Sequence, residues 1–312
     1  MKLLIQIPCY NEEKTLQMVI KDLPVRIDGI DIIEYLIIND GSTDKTVEIA
    51  NNIGVHHIVN IPRNKGLANA FKVGIAESLK IGADIIVNTD GDNQYNGQDI
   101  EKLVGPILKG EADIVIGARP IDDIHHFSWT KKKLQRVGSW VVKSISKTDI
   151  TDAMSGFRAY SRKAALEINV FNKYTYTLET IIQAGMKDMS VISVPVRVNN
   201  QLRQSRLMKS IPEYIKKSAI TLIRIFILYK PLKFFFSIAT VIFAVGSIIG
   251  FRFLYYFFLG SGNGHIQSLI FSAILLISAF NTYLIGIISD LLAKNRVILE
   301  EIQANLRSKN KE

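Results

Sequence analysis

Two uncharged apolar runs near the C-terminus constrain this chain more than any other feature. Phe234 to Phe251 is 18 residues, about 27 Å as a helix and close to the thickness of a bilayer's hydrocarbon core. Ile266 to Ser289 is longer and can span with some tilt. The turn Gly260-Ser261-Gly262-Asn263-Gly264-His265 separates them, so the expectation is a helical hairpin with both flanks on one side. Arg203, Arg206, Lys209, Lys216, Lys217, Arg224, Lys230 and Lys233 precede the first run, Lys294 and Arg296 follow the second, and the turn carries no Lys or Arg. The positive-inside rule then assigns the N-terminal domain and the C-terminal tail to the cytoplasm, the protein being a two-span protein of the cytoplasmic (inner) membrane. The competing picture is an apolar hairpin buried inside a soluble protein.

The net charge of +9 is confined to this region: residues 203–312 hold 14 Lys and Arg against 5 Asp and Glu, and the preceding residues hold 24 of each. A basic surplus beside apolar spans suits anionic lipid, whereas a nucleic-acid partner would call for a basic folded domain. Ile211, Tyr214, Ile215, Leu222, Ile225, Phe226 and Tyr229 recur at helical spacing opposite Glu213, Lys216, Lys217 and Arg224, which predicts an amphipathic interfacial helix. Within the spans, snorkelling accounts for Arg252 and an interhelical hydrogen bond for Asn281. The expected division is 1–202 catalytic, 203–233 basic juxtamembrane, 234–259 and 266–290 spanning, and 291–312 a cytoplasmic tail helix that leaves a homo-oligomer open. Cys9 is the single cysteine, so no intrachain disulfide forms, and a space-filling role is expected. The chain starts on the strand-like Leu3 to Ile7 without a signal peptide's basic and apolar blocks.

Before residue 203, β-rich runs (Leu3–Ile7, Tyr35–Ile38, His57–Ile61, Asp84–Asn88, Asp113–Ile116) alternate with helical patterns (Glu12–Lys21, Asp44–Asn51, Leu67–Lys80, Gln98–Leu108). Gly54, Gly82 and Gly110 fall where left-handed helix caps are wanted. Met189–Val198 reads as a further strand. The alternation predicts an α/β fold: a mostly parallel sheet with helices on both faces and ligands at the carboxyl ends of the strands.

Four polar clusters sit at those strand ends. Pro8-Cys9-Tyr10-Asn11-Glu12-Glu13 offers a ring for a base. In Asn39-Asp40-Gly41-Ser42-Thr43-Asp44, Asp40 can meet a base or ribose while Ser42 or Thr43 caps a helix. Arg63-Asn64-Lys65-Gly66 puts cations and a glycine at a helix start. Asp90-Gly91-Asp92, followed by Gln94, supplies oxygen donors suited to Mg2+ or Mn2+. Any one of these is ordinary capping chemistry; four in register are a site.

Together with Ser155-Gly156-Phe157-Arg158, these motifs resemble family 2 glycosyltransferases. Within that family they resemble the polyprenyl-phosphate branch of dolichol-phosphate mannose synthases and bactoprenol glucosyltransferases. The resemblance implies a GT-A (Rossmann-like) fold and inverting transfer of one sugar from a UDP- or GDP-linked nucleotide sugar, with a UDP-hexose favoured, to polyprenyl (undecaprenyl or dolichyl) phosphate. It implies that Pro8, Tyr10, Asn11, Glu12, Asp40, Lys65, Gly66, Asp90, Gly91 and Arg119 hold the nucleotide sugar. Asp90, Asp92 and Gln94 bind or orient the metal. Ser155, Arg158, Arg203 and Arg206 meet the acceptor phosphate. Asp92 and Asp152 are the implied catalytic residues, with Asp152 either a base or a positioning group.

The acceptor is already anionic near neutral pH, so the heavier task is stabilising the departing nucleoside diphosphate. Alternatives are a membrane enzyme extending a polysaccharide or glycan, and an inactive membrane scaffold. Gln135-Arg136-Val137-Gly138-Ser139-Trp140 lacks the Gln-x-x-Arg-Trp spacing of processive synthases. His56-His57, His125-His126, Lys131-Lys132-Lys133, Trp129 and Trp140 read as solvated or packing residues.

Overall fold

β1 (Lys2–Cys9) is buried without a break from Leu3 onward, the mark of a central strand covered on both faces. The structure, a computed structural model, describes residues 1–120, 143, 148, 150–170, 176–199, 220, 221, 223, 224 and 226–309. The chain divides into two units, Met1–Ser218 with Gln303–Glu312, and Ala219–Ile302.

In the first unit, β1 pairs in parallel with β2 (Ile32–Asp40) and β4 (Ile85–Asn88), and β2 pairs in parallel with β3 (His57–Ile61). Adding β5 (Ile114–Ala118), β6 (Arg158–Ser161) and β7 (Val191–Pro195), the seven-stranded order is β3-β2-β1-β4-β6-β5-β7. β6 runs antiparallel to both of its neighbours; β5 and β7 pair in parallel. The mostly parallel sheet therefore carries one reversed strand near its centre.

Helices among the described residues include α1 (Leu16–Asp22), α2 (Thr46–Asn52), α3 (Leu67–Ile81), α4 (Ile100–Leu108), α5 (Arg162–Glu167) and α6 (Thr177–Met186). The period of two sorts β1 between the faces. Leu3, Ile5 and Ile7 join Leu16 and Val19 of α1 and Ile100, Leu103 and Val104 of α4 in one core. Gln6 points the other way, and its side chain bonds Asn88 at 2.9 Å. There α3 lies so close that a Cβ on Gly74 would stand 2.9 Å from Ile38. Truncating a core residue such as Ile5 costs about 2–5 kcal/mol.

The expected strands are all present: β1, β2 and β5 run longer than expected, β3 matches, and β4 and β7 are shorter. Gly54, Gly82 and Gly110 adopt φ of +71°, +89° and +72° just beyond their helices. The alternation did not disclose β6, α5 and α6. β6 has only four residues, Arg-Ala-Tyr-Ser, too few to show a period.

The second unit holds a hairpin of α7 (Pro231–Phe258) and most of α8 (Ile266–Lys309), both long and apolar enough to cross a membrane. Gly260 turns the chain at φ +76°. The helices approach closely at small residues: Ser272 donates to the Gly246 carbonyl at 2.8 Å, and a Cβ on Gly286 would stand 3.0 Å from Phe235. A side-chain link between the helices joins Thr240 to Tyr283 at 2.9 Å, whereas Asn281, the expected partner, is exposed. Arg252 lies 5.9 Å from the centre of the Tyr256 ring. α8 continues unbroken through the region expected as a separate tail. Residues 226–229 are helical, as the amphipathic pattern predicts; most of 211–225, with Arg203 and Arg206, lies outside the described residues.

Candidate active site

The first two polar loops are laced together. Asn11, at φ +56°, donates its backbone N–H to Ser42 Oγ at 2.9 Å and accepts from Thr43 N through Oδ1 at 2.8 Å. Glu12 N–H donates to Thr46 Oγ1 at 2.8 Å. Thr15 Oγ1 donates to Glu12 Oε2 and to the Gly91 carbonyl, at 3.0 and 2.7 Å, tying the first loop to the Asp90–Asp92 loop. A Cβ on Gly91 would lie 3.1 Å from Cys9 Sγ and 3.2 Å from Glu12 Cγ, so glycine lets the two loops close. Pro8 and Cys9 are buried beneath, and Tyr10 stands exposed on the rim.

Asp40 is buried and accepts from Lys65 N at 2.9 Å and from Gly66 N at 2.8 Å, one bond to each oxygen. It therefore fixes the start of α3, whose first backbone N–H groups are otherwise orphaned. Each oxygen keeps a lone pair for a ligand. Gly41, at φ +70°, passes so close that a Cβ would stand 2.6 Å from the Arg63 and Asn64 backbone. Lys65 itself is exposed.

The fourth loop meets the chain that enters β6. Asp92 Oδ1 accepts from Gln94 N at 3.2 Å. Tyr95 stacks on Phe157, centroids 4.9 Å apart. A Cβ on Gly156 would be 3.3 Å from both Asp90 carboxylate oxygens. On the other side, Asn199 donates to the carbonyls of Gln94 and Tyr95 at 2.8 and 3.2 Å, and Val198 bridges Tyr95. Arg197 donates through Nη2 to buried Asp99 at 2.8 Å. Burial pushes the Asp99 carboxyl up, but its bonds to Arg197 and Lys102 outweigh this and hold it below the ordinary value.

Arg119 and Asp152 form a paired fork, with Nε to Oδ2 at 2.7 Å and Nη2 to Oδ1 at 3.1 Å. Burial opposes the Arg119 charge, yet the Asp152 and Asp90 carboxylates around it raise its proton affinity further. Tyr95 is pushed up to about 12, chiefly by burial and further by Asp90, with Arg119 opposing. It is a neutral phenol at physiological pH.

One expectation needs correcting. Arg158 is completely buried and spends its guanidinium inside the protein: on the carbonyls of Ser155, Thr177 and Ala153, each at 2.8 Å, and on Thr180 Oγ1 at 2.9 Å. It braces the loop entering β6 and has no face for an acceptor phosphate. Ser155 is likewise fully buried, its Oγ accepting from Phe157 N at 3.3 Å.

Asp90 and Asp92 flank one glycine, and Gln94 adds an amide oxygen. This is a hard donor set of the kind that holds Mg2+ or Mn2+ together with substrate phosphates and water. No cluster of three His, Cys, Asp or Glu side chains that could hold a metal occurs among the described residues. His57 instead pairs with Glu34 at 2.6 Å, and His56 Nδ1 accepts from Tyr35 N.

Residues 4–168 match the glycosyl transferase family 2. This chain belongs to that family. The family 2 enzyme is 27% identical over 217 residues to the UDP-N-acetylglucosamine–dolichyl-phosphate N-acetylglucosaminyltransferase of Methanococcus voltae, covering 61% of this chain and 83% of that one. It is 23% identical over 218 residues to the undecaprenyl-phosphate mannosyltransferase of Micrococcus luteus, covering 66% and 88%. Among solved structures it resembles glucosyl-3-phosphoglycerate synthase from Mycobacterium tuberculosis in complex with Mn2+, uridine diphosphate and glucosyl-3-phosphoglycerate. The TM-score is 0.53 at 20% identity, over 72% of this chain and 78% of that one. The fold is GT-A-like, as the motifs imply. In this glycosyltransferase, residue patterns alone did not point to Tyr95, Asn88 and Tyr176 as members of the site. Tyr95 follows Gln94 directly, and that adjacency was its only signal.

Proposed function

We propose that this glycosyltransferase moves one sugar, with inversion, from a UDP-linked hexose donor to polyprenyl phosphate at the cytoplasmic leaflet. The observation that carries the reading is the juncture of Asp90 with Gly156. There a donor-side acidic loop abuts a loop organised by the Arg119–Asp152 pair. The relatives named for dolichyl and undecaprenyl phosphate, and two helices able to cross a membrane, support a lipid acceptor.

In this reading Tyr10 and Asp40 contact the nucleoside, and Lys65 meets its phosphates. Asp90, Asp92 and Gln94 would hold Mg2+ or Mn2+, which when bound neutralises charge on the departing diphosphate. An oxygen of the acceptor phosphate attacks the anomeric carbon opposite that leaving group, so one C–O bond forms as the other breaks and the configuration inverts. The attacking oxygen is already anionic and needs no strong base. That agrees with Asp152, both of whose oxygens are engaged by Arg119, acting as a positioning group. Arg203 and Arg206 follow Asn199 closely in sequence and would draw the lipid phosphate. Exposed Ile298, Leu299, Ile302 and Leu306 on α8 are consistent with a homo-oligomer.

The test is direct. Purified enzyme is incubated with a panel of UDP- and GDP-sugars, Mg2+ or Mn2+ and a short polyprenyl phosphate, and the lipid is weighed by mass spectrometry. A product heavier by one sugar residue is expected; release of free sugar alone, with the lipid unchanged, overturns the proposal.

A further inference from the structure

Gly156 is held from two sides by phenols that come from different parts of the chain. Its N–H donates to the Tyr95 hydroxyl oxygen at 3.2 Å. Its carbonyl accepts from the Tyr176 hydroxyl at 3.2 Å and from Asn88 Nδ2 at 2.9 Å. Asn88 Nδ2 also donates to the Tyr176 oxygen at 2.9 Å, which leaves the Tyr176 proton for Gly156. Both rings are immobilised: Tyr95 stacks on Phe157, and Tyr176 lies flat on Phe71, with centroids 3.8 Å apart and planes 3° from parallel. Tyr95 is 4% exposed and Tyr176 0%.

The third side of Gly156 is occupied by Asp90. A Cβ there would stand 3.3 Å from both carboxylate oxygens and 3.0 Å from the Tyr176 hydroxyl, so the missing side chain is the space in which the carboxylate rests. Two phenols grip a residue whose bare Cα packs against the Asp90 carboxylate.

We propose that Tyr95 and Tyr176 are positioning residues: by gripping both polar groups of Gly156, they fix the Asp90 carboxylate at the seam between the metal loop and the loop entering β6. Neither tyrosine touches substrate; both act through Gly156. The inference rests on the reading of Asp90 as a donor-side metal ligand. Supporting groups of this kind commonly matter tenfold or more in metal affinity or activity, because a carboxylate displaced by a fraction of an ångström no longer matches the transition state.

The experiment uses the full chain in detergent as wild type, Tyr95→Phe, Tyr176→Phe and the double variant. Phenylalanine keeps each stack and deletes each hydroxyl. Three quantities are read: melting temperature, Mn2+ affinity by electron paramagnetic resonance at fixed UDP, and kcat with both KM values for transfer to polyprenyl phosphate. The expected result is cooperative melting in the single variants, Mn2+ affinity weakened about tenfold in the double variant, and a similar fall in kcat with the nucleotide-sugar KM within about twofold. Wild-type Mn2+ affinity and kcat in the double variant overturn the proposal. So does loss of cooperative melting in both single variants, which would reveal a purely structural grip. If the wild type binds Mn2+ with UDP but transfers nothing to polyprenyl phosphate, and the phenylalanines still weaken Mn2+, the acceptor assignment fails while the clamp stands. A wild type that binds no Mn2+ in the presence of UDP overturns the clamp's role.

Discussion

Arg119 and Asp152 meet through two nearly parallel hydrogen bonds, 2.7 and 3.1 Å long, with side chains only 7% and 1% exposed. Arg119 follows β5 and Asp152 precedes β6, so this ion pair closes the long excursion between two neighbouring strands. A buried pair contributes little net stability when intact, but loss of one partner strands the other's charge. Asp152→Ala is therefore expected to destabilise the first unit by about 3–5 kcal/mol. Combining it with Arg119→Met should recover part of that loss. Denaturant unfolding followed by tryptophan and tyrosine fluorescence measures both.

Asp92 makes a different prediction. It is half-buried, and its Oδ1 accepts from Gln94 N at 3.2 Å. Asp92→Ala should leave the melting temperature within a few degrees and abolish sugar transfer. Unaltered turnover in a mass-spectrometric product assay would refute its assignment to the metal.

Arg158 separates two roles that are easily confused. A phosphate-binding arginine replaced by lysine keeps its charge and chiefly raises the acceptor KM. Here the guanidinium spans four internal oxygens, and a lysine ammonium reaches fewer of them. Arg158→Lys is expected to lower stability by roughly 1–3 kcal/mol, the cost of leaving buried acceptors unsatisfied, with the acceptor KM of the folded fraction unchanged. Steady-state kinetics alongside a melting curve distinguish the two.

Asp99 predicts a pH dependence. Its folded carboxyl lies below the ordinary value, because bonds from Arg197 and Lys102 outweigh burial. Its stabilisation is therefore complete above the unfolded value, about pH 4, and fades as pH falls through the folded value. Asp99→Asn should cost roughly 1–3 kcal/mol at pH 7. The gap between wild-type and variant melting temperatures should narrow in acid below about pH 4. A gap that widened there would reverse the assignment.

Gly41→Ala tests the proposed nucleoside contacts of the Asp40 loop. At φ +70° any side chain is strained, and this one would strike the Arg63–Asn64 backbone. About 1–3 kcal/mol of stability should be lost, and nucleotide affinity, read by calorimetry with UDP, should fall with it.

Much of this architecture is legible in the chain because local and global signals agree. Leu3–Ile7 reads as a strand and is one, and Gly82 reads as a cap and turns left-handed. The apolar runs at 234–251 and 266–289 lie within two long helices. What stayed hidden is non-local. Arg158 carries the charge of a phosphate ligand, and only its burial against α6 shows that its donors are already spent. Tyr176 bears no motif at all, and its place beside Gly156 is set by stacking on Phe71 of α3, far away in sequence. Asp40 reads correctly as a residue at a strand tip, but its grip on the Lys65 and Gly66 amides follows from the fold alone.

The reversed direction of β6 has a final consequence. Parallel strands deliver their following loops to one edge of the sheet, whereas an antiparallel strand delivers its preceding one there. Residues 152–157 thus arrive at the same rim as the loops after β1, β2 and β4, but from the opposite sense of travel. Any change in that approach is therefore felt at the Asp90 carboxylate, against which Gly156 packs.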